Sequence, residues 1–236
     1  MNTFRGAFFY FIIYFTVVPY GIFGPTVCRL LPFKVRFPML VSWNRLVIFL
    51  LRVICGVKVN IQGKENIPDK PCVVLSNHDS TLETIVLQTL FNPLCTVLKR
   101  ELLRIPFFGW ALAALLPIAI DRASPREAIR QLSGKGIYRI TEKQHSLLVF
   151  PEGTRNPTNK PNKWARGGAT IAIESGAAIL PVAHNCGDYW PYDAIAKKPG
   201  TITFVIGKPI PSQNRDSKSL TEEAQNWVAE QRALMN

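Results

Sequence analysis

Residues 72–83 read Cys-Val-Val-Leu-Ser-Asn-His-Asp-Ser-Thr-Leu-Glu, a short apolar run followed by a polar segment that contains one histidine. The run Cys72–Leu75 is too short for a helix, and it lies between Pro71 and the polar pair Ser76-Asn77. These features favour a strand that is covered on both faces. His78 follows at the carboxyl end of that strand, where α/β sheets bind their ligands.

The segment after His78 has the S-x-x-E spacing of a capping box, with Ser80 as the N-cap and Glu83 as the third helical residue. On one regular helix, His78 and Glu83 would point roughly 140° apart, because five positions at about 100° each separate them. With His78 in a loop, a Glu83 side chain that folds back toward the N-cap can reach it.

A histidine oriented by a carboxylate can take the proton of an alcohol. The neutral imidazole accepts the proton, and the carboxylate fixes the tautomer and stabilises the imidazolium that forms. The alternative interpretation is that Glu83 only caps a helix and that His78 only binds loop carbonyls. The stretch by itself leaves both interpretations open.

Charge and hydrophobicity are unevenly distributed along the 236 residues, 47% of which are hydrophobic. The length suits one α/β domain with an appendage, which we place at residues 57–236 and 1–56. Of a net charge of +12, eight basic residues and no acid lie in residues 1–64, among long apolar runs. Nucleic-acid-binding stretches are polar, so this pattern predicts an anionic membrane surface as the partner and no nucleic acid.

The first 56 residues contain two apolar segments that predict a helical hairpin at the membrane. Ala7–Phe23 is almost continuously apolar but short for a hydrocarbon core of about 30 Å. Phe37–Val57 carries Arg45 and Arg52, which an interfacial helix can turn toward the headgroups. We therefore expect the hairpin to enter one leaflet without crossing it, with two conventional spans as the alternative. A signal peptide is disfavoured, because no cleavage site follows.

Strands alternate with helices after residue 56, which predicts a mostly parallel sheet covered by helices on both faces. The predicted strands are Val57–Ile61, Cys72–Leu75, Cys95–Leu98, Pro117–Ile120, Ser146–Phe150, Ala177–Val182 and Thr201–Ile206. Thr201–Ile206 alternates in polarity, so we expect it at an edge. Ser219 is expected to open an amphipathic C-terminal helix. The five cysteines are odd in number and mostly in apolar contexts, which predicts reduced core residues in a protein that faces the cytosol.

Polar residues follow four of the predicted strands, and parallel strands place such exits on one edge. The four exits are Asn77-His78, Lys99-Arg100, Asp121-Arg122 and Glu152-Gly153-Thr154-Arg155. Arg and Lys at these positions predict an anion site beside a candidate base. Each exit taken alone is more typical of a solvated charge at a strand end.

Four blocks of sequence resemble, in order, those of the glycerolipid acyltransferases. The blocks are Asn77-His78 with an acid five residues beyond His78, Lys99-x-x-Leu102-x-x-x-Pro106-x-x-Gly109, Phe150-Pro151-Glu152-Gly153-Thr154-Arg155, and Leu180-Pro181-Val182. In length and arrangement the chain is most similar to the bacterial 1-acylglycerol-3-phosphate acyltransferases. The resemblance implies membrane localisation at the cytoplasmic face of a bacterial inner membrane.

The resemblance also implies transfer of a fatty acyl group from a thioester to the free hydroxyl of a lysophospholipid, which forms phosphatidic acid. His78 would be the general base and Glu83 its orienting acid, where the family usually has Asp. Arg155 would hold the acceptor phosphate. The full set of residues expected to bind substrate is Asn77, Lys99, Arg122, Glu152, Gly153, Thr154, Arg155 and Arg166.

This chemistry requires neither a metal nor a cofactor, because a thioester from acyl-CoA or acyl carrier protein is already activated. The three histidines, His78, His145 and His184, are scattered without metal-ligand spacing. Two other functions remain open, a lipid-binding protein of the same fold without activity and a hydrolase of acyl thioesters. A serine hydrolase is disfavoured, because Ser76 and Ser80 lack a nucleophile elbow.

Overall fold

Seven strands form a single sheet in the computed structural model, which describes residues 2–121, 125–155 and 163–235, without the side chains of residues 125–129. The strands are β1 (Val57–Gln62), β2 (Val73–Ser76), β3 (Leu94–Lys99), β4 (Ile118–Ile120), β5 (Ser146–Val149), β6 (Ile179–His184) and β7 (Gly200–Ile206). Each of them overlaps a strand that the sequence predicts.

The strands follow the order β1-β7-β6-β2-β5-β3-β4, and every neighbouring pair is parallel except β6 with β7. Strand β2 lies at the centre, where Val73 is in register with Leu147 of β5 and Ile179 of β6. The carboxyl ends of these three strands therefore lie side by side at one end of the sheet. The predicted mostly parallel α/β sheet is confirmed.

The prediction that residues 201–206 form an edge strand is wrong. Strand β7 lies between β1 and β6, and the two edges of the sheet are β1 and β4. The alternation that suggested an edge comes from the two faces of β7, because Ile202, Phe204 and Ile206 are buried whereas their neighbours are partly exposed. Alternating polarity reports how each face is covered, not how many strands flank it.

Eight helices flank the described parts of the sheet and divide the core into two layers. They are α1 (Asn2–Phe23), α2 (Phe33–Cys55), α3 (Leu82–Leu90), α4 (Phe108–Ala114), α5 (Pro125–Thr141), α6 (Gly167–Ser175), α7 (Cys186–Tyr189) and α8 (Ser217–Ala233). Along β2, Val74 faces a layer formed with α1–α3, whereas Val73 and Leu75 face the layer with α6 and α8. Burial on both faces explains the continuous apolar run at residues 72–75.

The C-terminal helix begins earlier than the sequence predicts. Asp216, rather than Ser219, is the N-cap of α8, because its Oδ1 accepts hydrogen bonds of 2.9 Å from the backbone N–H groups of both Lys218 and Ser219. A carboxylate that accepts two of the free amides of the first turn is a strong cap. Leu220, Ala224 and Val228 are buried along one face of α8 and Trp227 is partly buried, so the predicted amphipathic helix is confirmed.

Helices α1 and α2 pack against each other and against the α/β layers. Phe9 and Val17 of α1 belong to the same buried cluster as Val86 of α3 and Phe204 of β7. A boundary at residue 56 therefore crosses a shared core, and the division into residues 1–56 and 57–236 stays a prediction. Close approach occurs at Gly6, where a Cβ would lie 2.1 Å from the carbonyl oxygen of Ile195.

The opposite faces of α1 and α2 are apolar and exposed. Phe4, Phe11 and Phe15 of α1 and Phe49 and Val53 of α2 are each more than half exposed. Both helices are long and apolar enough to cross a membrane. These observations support membrane association of the chain. Entry into one leaflet only stays a prediction.

Candidate active site

The junction of β2 and α3 holds His78 and Glu83 in direct contact. Glu83 Oε1 accepts a hydrogen bond of 3.1 Å from the backbone N–H of Ser80, and Ser80 Oγ accepts one of 3.2 Å from Leu82. These are the two residues of the predicted capping box, but α3 begins at Leu82 with Thr81 as its N-cap, so the predicted N-cap at Ser80 is one residue too early and Glu83 is the second helical residue, not the third. The same Oε1 lies 2.6 Å from His78 Nδ1. Glu83 therefore binds the backbone at the start of α3 and His78 at once, so it does not serve the helix alone, while its role in catalysis stays a prediction.

The surroundings keep Glu83 ionised and His78 fixed. Glu83 is fully buried, which by itself raises the pKa of its carboxyl group, but the hydrogen bond from His78 and the nearby His184 outweigh burial and lower the pKa. In the neutral imidazole, a proton on Nδ1 that the carboxylate accepts leaves the lone pair on Nε2. The imidazole also stacks on Phe150, with ring centroids 4.0 Å apart and planes 13° from parallel.

The segment after β5 is joined to the same junction. Glu152 Oε1 accepts a hydrogen bond of 2.9 Å from the backbone N–H of His78. Gly153 has a φ of +72°, a left-handed conformation that glycine adopts at little cost, and Thr154 is exposed. Arg155 follows two residues after this turn. The predicted grouping of Glu152 with His78 is thus present in the geometry, while a substrate contact by either Gly153 or Thr154 stays a prediction.

Arg155 is a predicted cation that has an unpartnered donor atom in the described part of the chain. Its side chain is partly buried, and its Nε has no hydrogen-bond partner among the described residues. Its guanidinium is within electrostatic range of Tyr10 on α1. Arginine presents a planar fork of donors that matches a phosphate, so Arg155 has the chemistry expected of a phosphate ligand.

The other predicted cations are not joined to His78 by any hydrogen bond or ion pair within residues 2–121 and 163–235. Lys99 ends β3, two strands away from β2, and its Nζ lies 3.8 Å from Glu101. Arg166 precedes α6 and is exposed. Arg122 lies outside the described residues. The substrate contacts expected of all three stay predictions.

Asn77 connects the ends of β2 and β6. Its Nδ2 donates to the carbonyl oxygen of His184 at 3.0 Å, and its Oδ1 accepts from the backbone N–H of His184 at 3.1 Å. Both ends of the amide are therefore used to hold two strands together. A substrate contact by Asn77 stays a prediction.

Comparison with known proteins identifies the family. The family model described as Acyltransferase matches residues 58–185, which include every residue of the junction described above. This chain belongs to the acyltransferase family. The matched region therefore includes the end of β2, where His78, Asp79 and Glu83 are buried.

Two curated relatives and one solved structure show how far the likeness extends. The acyltransferase is 44% identical to the 1-acyl-sn-glycerol-3-phosphate acyltransferase of Pseudomonas aeruginosa, over 96% of this chain and 89% of that protein. It is 31% identical to the 1-acyl-sn-glycerol-3-phosphate acyltransferase of Saccharomyces cerevisiae, over 87% and 68%. The crystal structure of the 1-acyl-sn-glycerophosphate acyltransferase PlsC from Thermotoga maritima shares the fold, with a TM-score of 0.80 at 24% identity over 98% and 96%.

Sequence reasoning missed a second polar pair in this acyltransferase, Asp79 and His184. His184 is fully buried, which lowers its pKa to about 4. Its Nε2 lies 2.9 Å from the carbonyl oxygen of Asn77, and its Nδ1 accepts from the backbone N–H of Cys186 at 3.3 Å. Burial first, and then the charge of Glu83, raise the pKa of Asp79 to about 8. Asp79 and His184 are therefore both neutral near pH 7, beside an ionised Glu83.

One signal could have found His184. It closes the buried strand β6 just as His78 follows β2, so it occupies a strand exit. The sequence offered no comparable signal for Phe150 as a stacking partner of His78.

Three of these buried side chains could also hold a metal ion. Ligand atoms of Glu83, His184 and Cys186 lie within 4.8 Å of one another. Glu83 Oε2 has no hydrogen-bond partner in the described part of the chain. His184 Nδ1, in contrast, already accepts the Cys186 amide. The prediction that the reaction needs no metal is neither supported nor contradicted by this arrangement.

Proposed function

We propose that this acyltransferase moves a fatty acyl group from a thioester to the sn-2 hydroxyl of 1-acylglycerol-3-phosphate and so forms phosphatidic acid. The observation that carries the proposal is the contact of 2.6 Å between His78 Nδ1 and an ionised, fully buried Glu83. That contact leaves Nε2 of His78 as a base at the carboxyl edge of the sheet. The relatives from Pseudomonas aeruginosa and Saccharomyces cerevisiae are acyltransferases of the same kind.

The reaction follows from the protonation state of His78. Nε2 takes the proton of the acceptor hydroxyl while the oxygen attacks the thioester carbonyl carbon. The tetrahedral intermediate collapses as the carbon–sulfur bond breaks, and the imidazolium returns its proton to the leaving thiolate. Glu83 stabilises the imidazolium through the transfer and holds the ring in the required tautomer. His78 ends the cycle neutral, and no covalent enzyme intermediate is needed.

Arg155 holds the acceptor phosphate in this proposal. Its unpartnered, buried Nε supplies one of the donors that a phosphate oxygen needs. Lys99, Arg122 and Arg166 add positive charge around the site, and Glu152 keeps the two strand exits together through the His78 backbone. The donor is acyl-CoA or acyl-acyl carrier protein, and no further cofactor takes part.

The hairpin is the membrane contact in this proposal. We propose that the exposed apolar faces of α1 and α2 enter one leaflet, with the basic residues of the segment at the headgroups of the cytoplasmic face of a bacterial inner membrane. The lysolipid then reaches His78 without leaving the bilayer.

The test is to incubate the purified, detergent-solubilised protein with both thioester donors and a panel of lysolipids, including 1-acylglycerol, which has no phosphate. Mass spectrometry identifies the products. We expect phosphatidic acid from 1-acylglycerol-3-phosphate and little product from 1-acylglycerol. Release of free fatty acid alone would identify a thioesterase, and binding of lipid without any turnover would identify a lipid-binding protein.

A substitution at Arg155 tests the acceptor site separately. Arg155→Ala should raise the KM for 1-acylglycerol-3-phosphate by about 10- to 150-fold, because hydrogen bonds to charged groups are worth about 1.5–3 kcal/mol. The KM for the donor should stay near that of the parent. Arg215→Ala is the matched control, since Arg215 is an arginine on the surface paired with Glu223. A change in the donor KM alone would mean that Arg155 binds the donor.

A further inference from the structure

The N-terminal helix contributes a tyrosine to a buried cluster of hydrogen-bond donors. Tyr10 of α1 contacts Trp190 and Lys197, which lie in the segment between α7 and β7 and are each 1% exposed. The indole Nε1 of Trp190 donates to Tyr10 Oη at 3.0 Å, and the ammonium Nζ of Lys197 donates to the same oxygen at 3.2 Å. Nζ also donates to the carbonyl oxygens of Ala194 and Ile195 at 3.0 and 2.8 Å.

In this arrangement the Tyr10 hydroxyl oxygen accepts two hydrogen bonds, and only its proton is left to form another. An indole N–H and a protonated lysine can only donate, so both lone pairs of the phenolic oxygen are occupied. All three protons of Nζ have acceptors, and the ammonium is held over the Tyr10 ring at 4.3 Å from its centroid. The hydroxyl proton must therefore be donated elsewhere. None of the described residues accepts it, whereas buried polar groups are normally paired.

The cluster lies at the end of the sheet where β2 and β6 terminate and where His78 is found. Strand β7 is antiparallel to β6, with His184 in register with Phe204, so Gly200 at the start of β7 lies beyond the end of β6. The cluster precedes Gly200 directly. Arg155 acts electrostatically on Tyr10, and its Nε is a second donor without an acceptor among the described residues. Two donors that interact electrostatically suit an acceptor with several negatively charged oxygens.

We propose that the Tyr10 hydroxyl donates a hydrogen bond to the phosphate of the lysolipid acceptor, beside Arg155, and that the hairpin thereby supplies a substrate-binding residue. The inference rests on the proposed function for the existence of that phosphate. Trp190 and Lys197 are positioning residues, since they touch Tyr10 and turn its proton toward the ligand. Helix α1 then does more than anchor the chain, because acceptor affinity depends on how α1 is docked.

The charge of Lys197 gives the cluster a measurable pH dependence. Burial lowers the pKa of Lys197 to about 8, and the groups that face it are Tyr10 from α1, Cys55 from α2 and Trp190. Below this pKa Nζ only donates. Above it the neutral amine has a lone pair that can accept the Tyr10 proton, so the proton is no longer directed to the ligand. The KM for the acceptor should therefore rise in the parent as the pH passes 8, and less in a protein without the hydroxyl.

The test compares Tyr10→Phe with Tyr14→Phe in full-length protein at a fixed detergent-to-lipid ratio. Phe keeps the ring that packs edge-on against Trp190 and under Lys197, and removes only the hydroxyl. Tyr14 is one turn further along α1 and is 56% exposed, so it is the matched control. We expect Tyr10→Phe to raise the acceptor KM about tenfold or more, with kcat and the donor KM near those of the parent. Tyr14→Phe should leave all three unchanged.

Several results would overturn the inference. An unchanged acceptor KM in Tyr10→Phe, together with a raised acceptor KM in Arg155→Ala, would remove Tyr10 from the site and leave the proposed function intact. An unchanged acceptor KM in both variants would remove the acceptor site of the proposed function itself. If Tyr10→Phe lowers the melting temperature so far that its kinetics cannot be measured, the test is the pH dependence of the acceptor KM in the parent protein. An acceptor KM that stays constant between pH 7 and 9 would contradict the proposal.

Discussion

The junction at residues 76–83 and the contact of α1 with residues 190–197 lie at the same edge of the sheet but are assembled differently. His78 and Glu83 are five positions apart, so one turn of chain brings them together. Tyr10 and Lys197 are 187 positions apart and meet only because α1 docks on the segment before β7. The first region depends on local geometry, whereas the second depends on the whole fold. Substitutions at the junction should therefore change the chemistry of His78, whereas substitutions at the second contact should change how α1 packs on residues 190–197.

The largest effect is expected at the local junction. His78→Ala removes the base, and general-base contributions run to roughly 10²–10⁴-fold, so kcat should fall by that factor. The variant should remain folded but melt at a lower temperature, because the buried Glu83 loses its partner at 2.6 Å. Turnover and circular dichroism measured on the same preparation check both statements. Near-normal turnover in a folded variant would remove His78 from the mechanism.

The carboxylate partner is the second most sensitive position. Glu83→Gln keeps an oxygen that can accept from Ser80 but lacks the charge that stabilises the imidazolium, so kcat should fall by about 10- to 150-fold. The new amide N–H₂ would take the position of Oε2, which has no partner in the described part of the chain, so the melting temperature should fall as well.

Glu83→Asp is the companion variant. It keeps the charge and shortens the reach by one methylene group, so it should retain more activity than Glu83→Gln and less than the parent. Full activity and unchanged stability in Glu83→Gln would show that the contact of 2.6 Å serves the helix alone.

The same contrast explains what the sequence could predict. All seven strands were predictable, because buried parallel strands leave short apolar runs between turn residues. The contact between His78 and Glu83 was predictable from their spacing. The resemblance to glycerolipid acyltransferases indicated Arg155 as the residue that holds the acceptor phosphate. The position of β7 was not predictable, because pairing order depends on the rest of the sheet.

The residues of the Tyr10 cluster carried no signal. Tyr10 stands in an apolar run where a tyrosine is typical of a membrane interface, and Lys197 stands beside Lys198 and Pro199, a sequence typical of a solvated loop. Only tertiary packing buries that lysine to 1% exposure. The pairing of Asp79 with His184 carried no signal either, because Gly187 and His184 come from more than a hundred positions away.

The docking of α1 can be tested at one glycine. In Gly6→Ala the new Cβ would lie 2.1 Å from the carbonyl oxygen of Ile195, so α1 must move away from the segment that holds Lys197. Such overpacking costs about 1–3 kcal/mol, and we expect a lower melting temperature together with a raised acceptor KM.

Gly134→Ala in α5 is the control for this substitution, because nothing lies within 4 Å of the added Cβ. Alanine there should raise the melting temperature slightly, since glycine in a helix costs about 0.5–1 kcal/mol relative to alanine. Equal stabilisation by both substitutions would show that the close approach at Gly6 is not rigid.

The smallest effect on activity is expected at Asp79. A substitution there distinguishes the role of its carboxyl group from that of Glu83. Its pKa of about 8 lies above the ordinary value of 3.8, so the folded protein keeps a proton that the unfolded chain releases. The stabilisation from this proton is complete below about pH 3.8 and is lost progressively as the pH rises to about 8. Asp79→Asn mimics the neutral form and keeps the acceptor for the Gly187 amide, at the loss of a weak bond of 3.3 Å from Asn77.

We expect Asp79→Asn to leave kcat close to that of the parent, because His78 takes its orientation from Glu83. Melting temperatures measured from pH 5 to pH 8 should fall more steeply in the parent than in Asp79→Asn, since only the parent has the proton to lose. Parallel curves would mean that Asp79 is ionised in the folded protein across this range. The negative charge beside His184 would then be shared between Asp79 and Glu83, and a loss of kcat in Asp79→Asn comparable to that in Glu83→Gln would assign the orientation of His78 to both carboxylates.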